Sequence, residues 1–299
     1  MLTIFSFPKP FEKKIGIIQR NAVKSWSSLT PRPEIILLGN EKGVKDICRE
    51  LNLIHFPHKG RRDILLVNEI FNEGQEKASN HLVCYINSDI ILLNDFIKTV
   101  DSVQKKMNKA SFLLAGKRWN IELQRPLTFT DPYWEEKLKA YTLKHGKGGG
   151  FGTIDYFVFT KGLIKDMPPF EIGVTSYDSW ILYKARRDGS ALVDASMEIM
   201  AIHQNHLKKH HTNRKTTACW ETAVLKDKKL CIFRSRFYSL LDATHLVIKS
   251  ELIEIYSKRR LRRILSKLSH WIIYLLKDTC YPYSSPFVKT VRKIKSVFR

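Results

Sequence analysis

Leu82-Val83-Cys84-Tyr85-Ile86-Asn87-Ser88-Asp89-Ile90-Ile91-Leu92-Leu93 is the stretch on which the reading of the whole chain turns. Leu82 to Ile86 is an unbroken run of apolar and β-branched residues, the pattern of a buried strand. Three small polar residues, Asn87, Ser88 and Asp89, interrupt it before apolar character resumes. A charged Asp at the end of an interior strand is costly to bury unless something pairs with it or binds it. In an open α/β sheet, ligands sit at the carboxyl ends of the strands. A carboxylate beside an amide carbonyl and a hydroxyl offers the oxygen ligands that Mg²⁺ or Mn²⁺ takes when it carries a diphosphate. The same three residues also suit an Asx-turn that simply ends the strand, so the rest of the chain has to separate the two readings.

On the N-terminal side of this stretch, strand and helix signals alternate. Leu2–Phe7 reads as a short strand broken by Pro8 and Pro10, and Ile15–Leu29 has helical spacing up to the stop at Thr30-Pro31-Arg32-Pro33. Glu34–Leu38 reads as a strand, Val44–Leu51 as a helix, Ile54–Phe56 as a strand and Leu65–Ala78 as a helix. Such alternation predicts a mostly parallel, doubly wound sheet. On the C-terminal side, Asp95–Met107 reads as a helix and Ser111–Ala115 as a strand. His145–Gly152 then brings five glycines into eight residues, which marks a mobile loop or a close approach to a ligand. It lacks the G-x-x-x-x-G-K-[ST] pattern, so a phosphate-binding P-loop is not supported. Thr153–Phe159 reads as a strand carrying Asp155, Tyr177–Arg187 as a helix opening with Asp178, and Ala191–Ala195 as a strand. Ile199–His206 is an apolar run ending in His203 and His206.

Composition narrows the field. The chain has 299 residues, 43% of them hydrophobic, enough for one large core with an appendage. Lys and Arg number 51 against 29 Asp and Glu, a net +22, which calls for an anionic partner: nucleic acid, acidic lipid or phosphorylated substrate. The five cysteines are scattered, with no C-x-x-C pair, so neither a zinc cluster nor a disulfide framework is suggested and a reducing compartment fits. No stretch reaches the roughly 18–20 apolar residues needed to span a bilayer, and the N-terminus does not read as a secretory signal.

Taken singly, Asp89, Asp155, Asp178, His203 and His206 each have a structural explanation; Asp178, for instance, suits a helix N-cap. Their order, however, resembles the GT-A class of nucleotide-sugar glycosyltransferases. Those enzymes have an N-terminal α/β nucleotide-binding half, an Asp-x-Asp element closing a central strand, an acid before a helix in the acceptor half, and a metal-binding histidine further on. Here the element is Asn87-Ser88-Asp89, with Asn in its first place. Ile18-Gln19-Arg20-Asn21-Ala22, Pro31-Arg32-Pro33-Glu34-Ile35-Ile36-Leu37, Ile154-Asp155-Tyr156-Phe157-Val158-Phe159 and Ala201-Ile202-His203-Gln204-Asn205-His206 are similar to a family of glycosyltransferase-like proteins. The resemblance covers about residues 1–210. It implies a GT-A-like, mostly parallel α/β sheet flanked by helices, with a nucleotide-binding half at about 1–110 and an acceptor half at about 111–210.

The activity implied is transfer of a sugar from a nucleotide-diphosphate donor to a glycan or lipid-linked acceptor, with a divalent cation (Mn²⁺ or Mg²⁺) neutralising the leaving diphosphate. Asp89 is the expected metal ligand, the resemblance implies His203 as its partner, and His206 is the alternative. Asp178 is the candidate general base, in which case attack is a single displacement with inversion. Asp155, Tyr156, Trp180, Arg20, Asn87 and Ser88 are expected to bind substrate. The basic loop Lys59–Asp63 is a further candidate on the nucleotide side.

Residues 211–299 read as a basic, mainly helical extension. From 249 to 299 there are 13 Lys or Arg against 3 Asp or Glu. Apolar residues from Leu252 to Leu275 recur there at near-helical spacing around Lys258–Arg263, the pattern of a helix lying on an anionic membrane surface. A cytoplasmic protein, peripheral on the inner face of a membrane, is the corresponding expectation. Three rivals stand beside this reading: a non-catalytic protein of the same fold, a nucleotidyltransferase-like or metal-dependent hydrolytic enzyme, and a basic nucleic-acid-binding protein. The last is not expected, because no helix-turn-helix, zinc-finger or RNP pattern is present.

Overall fold

The computed structural model describes residues 1–57, 66–123, 125–174, 176–206 and 238–255. In chain order the elements are β1 (Leu2–Ser6), α1 (Lys13–Ser27), β2 (Glu34–Leu38), α2 (Val44–Leu51), β3 (Ile54–Phe56), α3 (Val67–Lys77) and β4 (Leu82–Ile86). They continue with β5 (Ile90–Ile91), α4 (Asn94–Met107), β6 (Phe112–Ala115), β7 (Arg118–Ile121), α5 (Trp134–His145), β8 (Lys147–Gly148) and β9 (Tyr156–Thr160). Last come α6 (Tyr177–Arg187), β10 (Ala191–Asp194), β11 (Ala201–Gln204), a single 3₁₀ turn (Leu240–Asp242), β12 (His245–Ile248) and β13 (Glu251–Glu254).

Nine strands form the main sheet, in the order β13-β12-β10-β6-β9-β4-β1-β2-β3. β1 runs parallel to both β2 and β4, β2 to β3, and β10 to both β6 and β12. β9 is inserted antiparallel between β4 and β6. The result is a mixed, mostly parallel α/β sheet with helices on both faces. Because successive strand residues point to opposite faces, Ile4, Cys84 and Ile86 join α1, α2 and α4 residues such as Trp26, Ile47 and Phe96 in one core. Phe5, Val83 and Tyr85 join Phe71 of α3 and Trp180 of α6 in the other. Coverage of both faces is why β4 is apolar at every position.

A smaller sheet, in the order β5-β11-β7-β8, stands apart from the main one. β11 pairs antiparallel with β5, placing His203 opposite Ile90, and parallel with β7.

Three expectations need correction. The strand expected at Thr153–Phe159 begins at Tyr156, so Asp155 sits just ahead of it. The boundary expected at 210 does not mark the end of the main sheet, because β12 pairs parallel with β10 and β13 closes the same sheet edge. The helical spacing read from Leu252 onward begins inside a strand, Glu251–Glu254. The remainder of the expected amphipathic segment, from 256, and the basic loop Lys59–Asp63 lie outside the described residues. Among the described residues, no helix is long and apolar enough to cross a membrane.

Candidate active site

At the end of β4 the chain turns sharply. The Asn87 carbonyl accepts the Ile90 N–H at 3.2 Å, closing a four-residue turn that projects Asp89 from the sheet edge. The stretch is a turn closed by backbone rather than by the Asn87 side chain, and its acid faces a cluster. The antiparallel pairing of β5 with β11 brings His206, 117 positions away, beside it. Gln204, buried and lying between the two histidines in sequence, holds that junction: its Nε2 donates to the Asp89 carbonyl at 3.2 Å and to the Ile18 carbonyl at 2.9 Å. Its Oε1 accepts from Asn21 Nδ2 at 2.9 Å.

Asp89 Oδ2 lies 2.9 Å from His206 Nε2 and 3.4 Å from His203 Nε2. One candidate ligand atom from each of the three residues lies within 4.8 Å of the others. Asp89 Oδ1 is buried with no hydrogen-bond partner among the described residues. A buried carboxylate oxygen left without a donor is what a cation would satisfy, and one carboxylate with two imidazoles suits Mn²⁺ and other first-row ions better than Ca²⁺. The residues thus fit a divalent cation. Burial pushes the Asp89 carboxyl up, but hydrogen bonds and charge from His203 and His206 outweigh it and hold the group well below the usual carboxylate range.

A cavity of about 660 Å³ opens beside this cluster, in the size range of small-molecule sites. Its lining includes Asp89, His203 and His206, along with Asn87, Ser88, Asp155 and Asp178. Lys9, Gln19, Arg118 and Tyr177 also line it, and the sequence reading assigns none of them a role. Lys9 follows β1 at the sheet's carboxyl edge, and its position between Pro8 and Pro10 is the signal that could have found it. Gln19 clamps the Lys9 backbone, accepting its N–H at 2.7 Å and donating to its carbonyl at 2.8 Å, and also accepts from Ser88 Oγ at 2.9 Å. Burial lowers the Lys9 ammonium pKa, and the Asp89 charge partly opposes that.

Asp155 is buried and held from two sides, by Asn87 Nδ2 at 2.7 Å on Oδ1 and by Arg118 Nη1 at 2.6 Å on Oδ2. Asp178 lies in the first turn of α6 but does not cap it: the N-cap is Ser176, and Asp178 Oδ1 accepts the neighbouring Ser179 N–H at 2.8 Å. Burial, with the Asp155 charge adding to it, raises the Asp178 carboxyl above its ordinary value.

Three expected substrate contacts are placed elsewhere. Arg20 does not line the cavity and pairs with Glu50 of α2 at 2.5 Å, both side chains well exposed. Tyr156 is fully buried with its ring edge-on to Phe96 at 5.9 Å, and Trp180 is buried against Phe170 at 6.3 Å. Their aromatic surface fills the two cores, the commoner use of such side chains.

No family model matches the chain, and no curated protein matches it. Solved structures with similar architecture include S. aureus TarS 1-349 in complex with UDP-GlcNAc, at 11% identity and TM-score 0.48, covering 91% of this chain and 81% of that one. Another is the mannosyltransferase PcManGT from Pyrobaculum calidifontis in complex with GDP-Man and Mn²⁺, at 12% identity and TM-score 0.44, over 70% of this chain and 58% of that one. Glucosyl-3-phosphoglycerate synthase from Mycobacterium tuberculosis with Mn²⁺, UDP and phosphoglyceric acid matches at 12% identity and TM-score 0.44, over 69% of this chain and 72% of that one. The likeness is one of general architecture, and the mostly parallel sheet with helices on both faces is the α/β arrangement expected from the sequence.

Proposed function

We propose that the protein is a metal-dependent glycosyltransferase that moves a sugar from a nucleoside-diphosphate donor to a hydroxyl of a glycan or lipid-linked acceptor. The observation that carries this reading is the Asp89–His203–His206 cluster opening onto a cavity that also holds Asp155 and Asp178. Bound there, Mn²⁺ or Mg²⁺ would supply Lewis-acid neutralisation of the leaving diphosphate. Lys9 adds a second positive charge within electrostatic reach of Asp89. Asp178 serves as general base: it takes the proton of the acceptor hydroxyl as that oxygen attacks the anomeric carbon and the bond to the diphosphate breaks. Its raised proton affinity brings it nearer the working pH, where general bases are most effective. Attack from the face opposite the leaving group makes the reaction inverting. The basic stretch 249–299 supports an acceptor presented at an anionic membrane face, with the protein peripheral on its cytoplasmic side.

Thermal shift with UDP-, GDP- and CMP-sugars, each with and without Mn²⁺, tests the assignment. One nucleoside-diphosphate sugar should stabilise the protein only with metal, by about 2.7 kcal/mol at a hundredfold excess over its Kd. CMP-sugars, which carry a single phosphate, serve as the control. Asp89→Ala should abolish the response. No response to any donor, or one that Asp89→Ala retains, would sink the reading.

A further inference from the structure

Asn87 stands two residues before Asp89 in the same turn, yet its side chain does not join the cation cluster. It is committed across the sheet. The ladder between β4 and β9 ends with Ile86 opposite Tyr156, and one step further the Asn87 N–H donates to the Asp155 carbonyl at 2.9 Å. Asn87 and Asp155 are therefore a directly opposed cross-strand pair, and their side chains meet through Asn87 Nδ2 and Asp155 Oδ1 at 2.7 Å. Arg118, from β7 of the smaller sheet, takes the other carboxylate oxygen at 2.6 Å and is itself braced by Asn120 Oδ1 at 2.9 Å. A carboxylate has about four acceptor positions, so this one is fixed by two donors and keeps capacity for more on the side lining the cavity.

We propose that Asn87 is a positioning residue whose neutral amide, working with Arg118, locks Asp155 as a rigid acceptor for a hydroxyl of the donor sugar. This rests on the transferase reading above. The location favours the donor sugar because that ring is covalently joined to the diphosphate and so comes to lie within a few ångströms of the cation site. Asn87 and Asp155 line the same cavity as Asp89, His203 and His206, and the turn that carries Asp89 starts at Asn87. The amide also has to be neutral. Like charges directly opposed across a ladder are destabilising, and Asp178 already feels the Asp155 charge. An acid at position 87 would set a second carboxylate directly against Asp155, which Arg118 holds from its other side, and would turn Asp155 aside.

Asn87→Asp, which creates an Asp-Ser-Asp element, separates this role from metal ligation. Mn²⁺ affinity is read from the free-ion electron paramagnetic resonance signal, and Kd values are measured for the donor sugar nucleotide found in the thermal-shift panel and for its nucleoside diphosphate. In the variant, Mn²⁺ and nucleoside-diphosphate affinities should stay within about twofold of wild type, while the ratio of sugar-nucleotide Kd to nucleoside-diphosphate Kd rises about tenfold. Asn87→Leu, which removes the donor without adding charge, should raise that ratio about threefold to fivefold, and it decides the question if Asn87→Asp does not fold. Tighter Mn²⁺ binding in Asn87→Asp, or a Kd ratio unchanged in the folded variants, overturns the proposal while leaving the transferase reading standing. A wild-type protein that responds to no donor overturns both.

Discussion

As the proposed general base, Asp178 is the residue on which rate should depend most directly. Asp178→Asn removes the proton acceptor and leaves its shape, so kcat should fall about 10²–10⁴-fold while donor Kd is unchanged. Because burial raises this carboxyl, it stays protonated, and inactive as a base, to higher pH than an ordinary Asp; the acid limb of the kcat profile should therefore lie above that of an ordinary Asp. A limb at the ordinary Asp position, or an Asp178→Asn protein with normal kcat, would remove the assignment. An acid ahead of an apolar helical pattern is visible in sequence, but the usual explanation, a cap, is displaced here because Ser176 occupies the N-cap position with φ 90° and Asp178 falls inside the first turn. Arg118 and Asn87 show the opposite case: both are visible as residues, but the carboxylate they hold comes from a distant part of the chain, and no local pattern reports such a meeting.

At the scale of elements, α2, β3, β4 and α6 match their expected spans because apolar periodicity and breaking residues are local signals. β5, only two residues long, has no such signal; its pairing with β11 is what carries His203 to Asp89. The segment entering β11 is tied to α4 by a bond that is itself under electrostatic tension. Asp95 Oδ2 accepts the Met200 N–H at 3.3 Å, whereas Asp95 Oδ1 is buried with no hydrogen-bond partner among the described residues. Burial pushes this carboxyl up to about 6. A carboxyl raised in the folded state binds its proton more tightly there than in the unfolded chain, so its contribution to stability is present at low pH and is lost as pH climbs from about 4 through about 6. Asp95→Asn retains an acceptor for Met200 and never ionises. It should be more stable than wild type at pH 7 by about 1–3 kcal/mol, with the advantage vanishing below about pH 4. Denaturant melts across that pH range check this, and an advantage that grows toward low pH would contradict the assignment.

For the whole molecule, the extent of the main fold is set by its last strands. Composition drew a line near 210, since alternation stops there and basic residues take over. The sheet crosses that line. β12 docks on β10 through Thr244, whose hydroxyl both accepts the Leu192 N–H at 3.0 Å and donates to the Leu192 carbonyl at 3.1 Å. The β12–β13 hairpin was hard to see because its two-residue turn is Lys249-Ser250, both with positive φ (49° and 62°), where Asn-Gly or Asp-Gly would have announced it. Val247 settles whether this hairpin is integral. Its side chain is fully buried in the core shared by Trp26, Cys84 and Phe96, so Val247→Asp places an unpaired carboxylate in that core and should destabilise the fold by about 3 kcal/mol or more. For a domain of this size the Tm of the main cooperative transition should then drop by about 6 °C or more, with donor-induced stabilisation reduced in parallel because less protein is folded. If the hairpin instead belonged to an independent extension, the main transition and the donor response would both be untouched and only a minor transition would move. Calorimetry on the full chain tells these apart, and the first result would extend the main fold to at least residue 254.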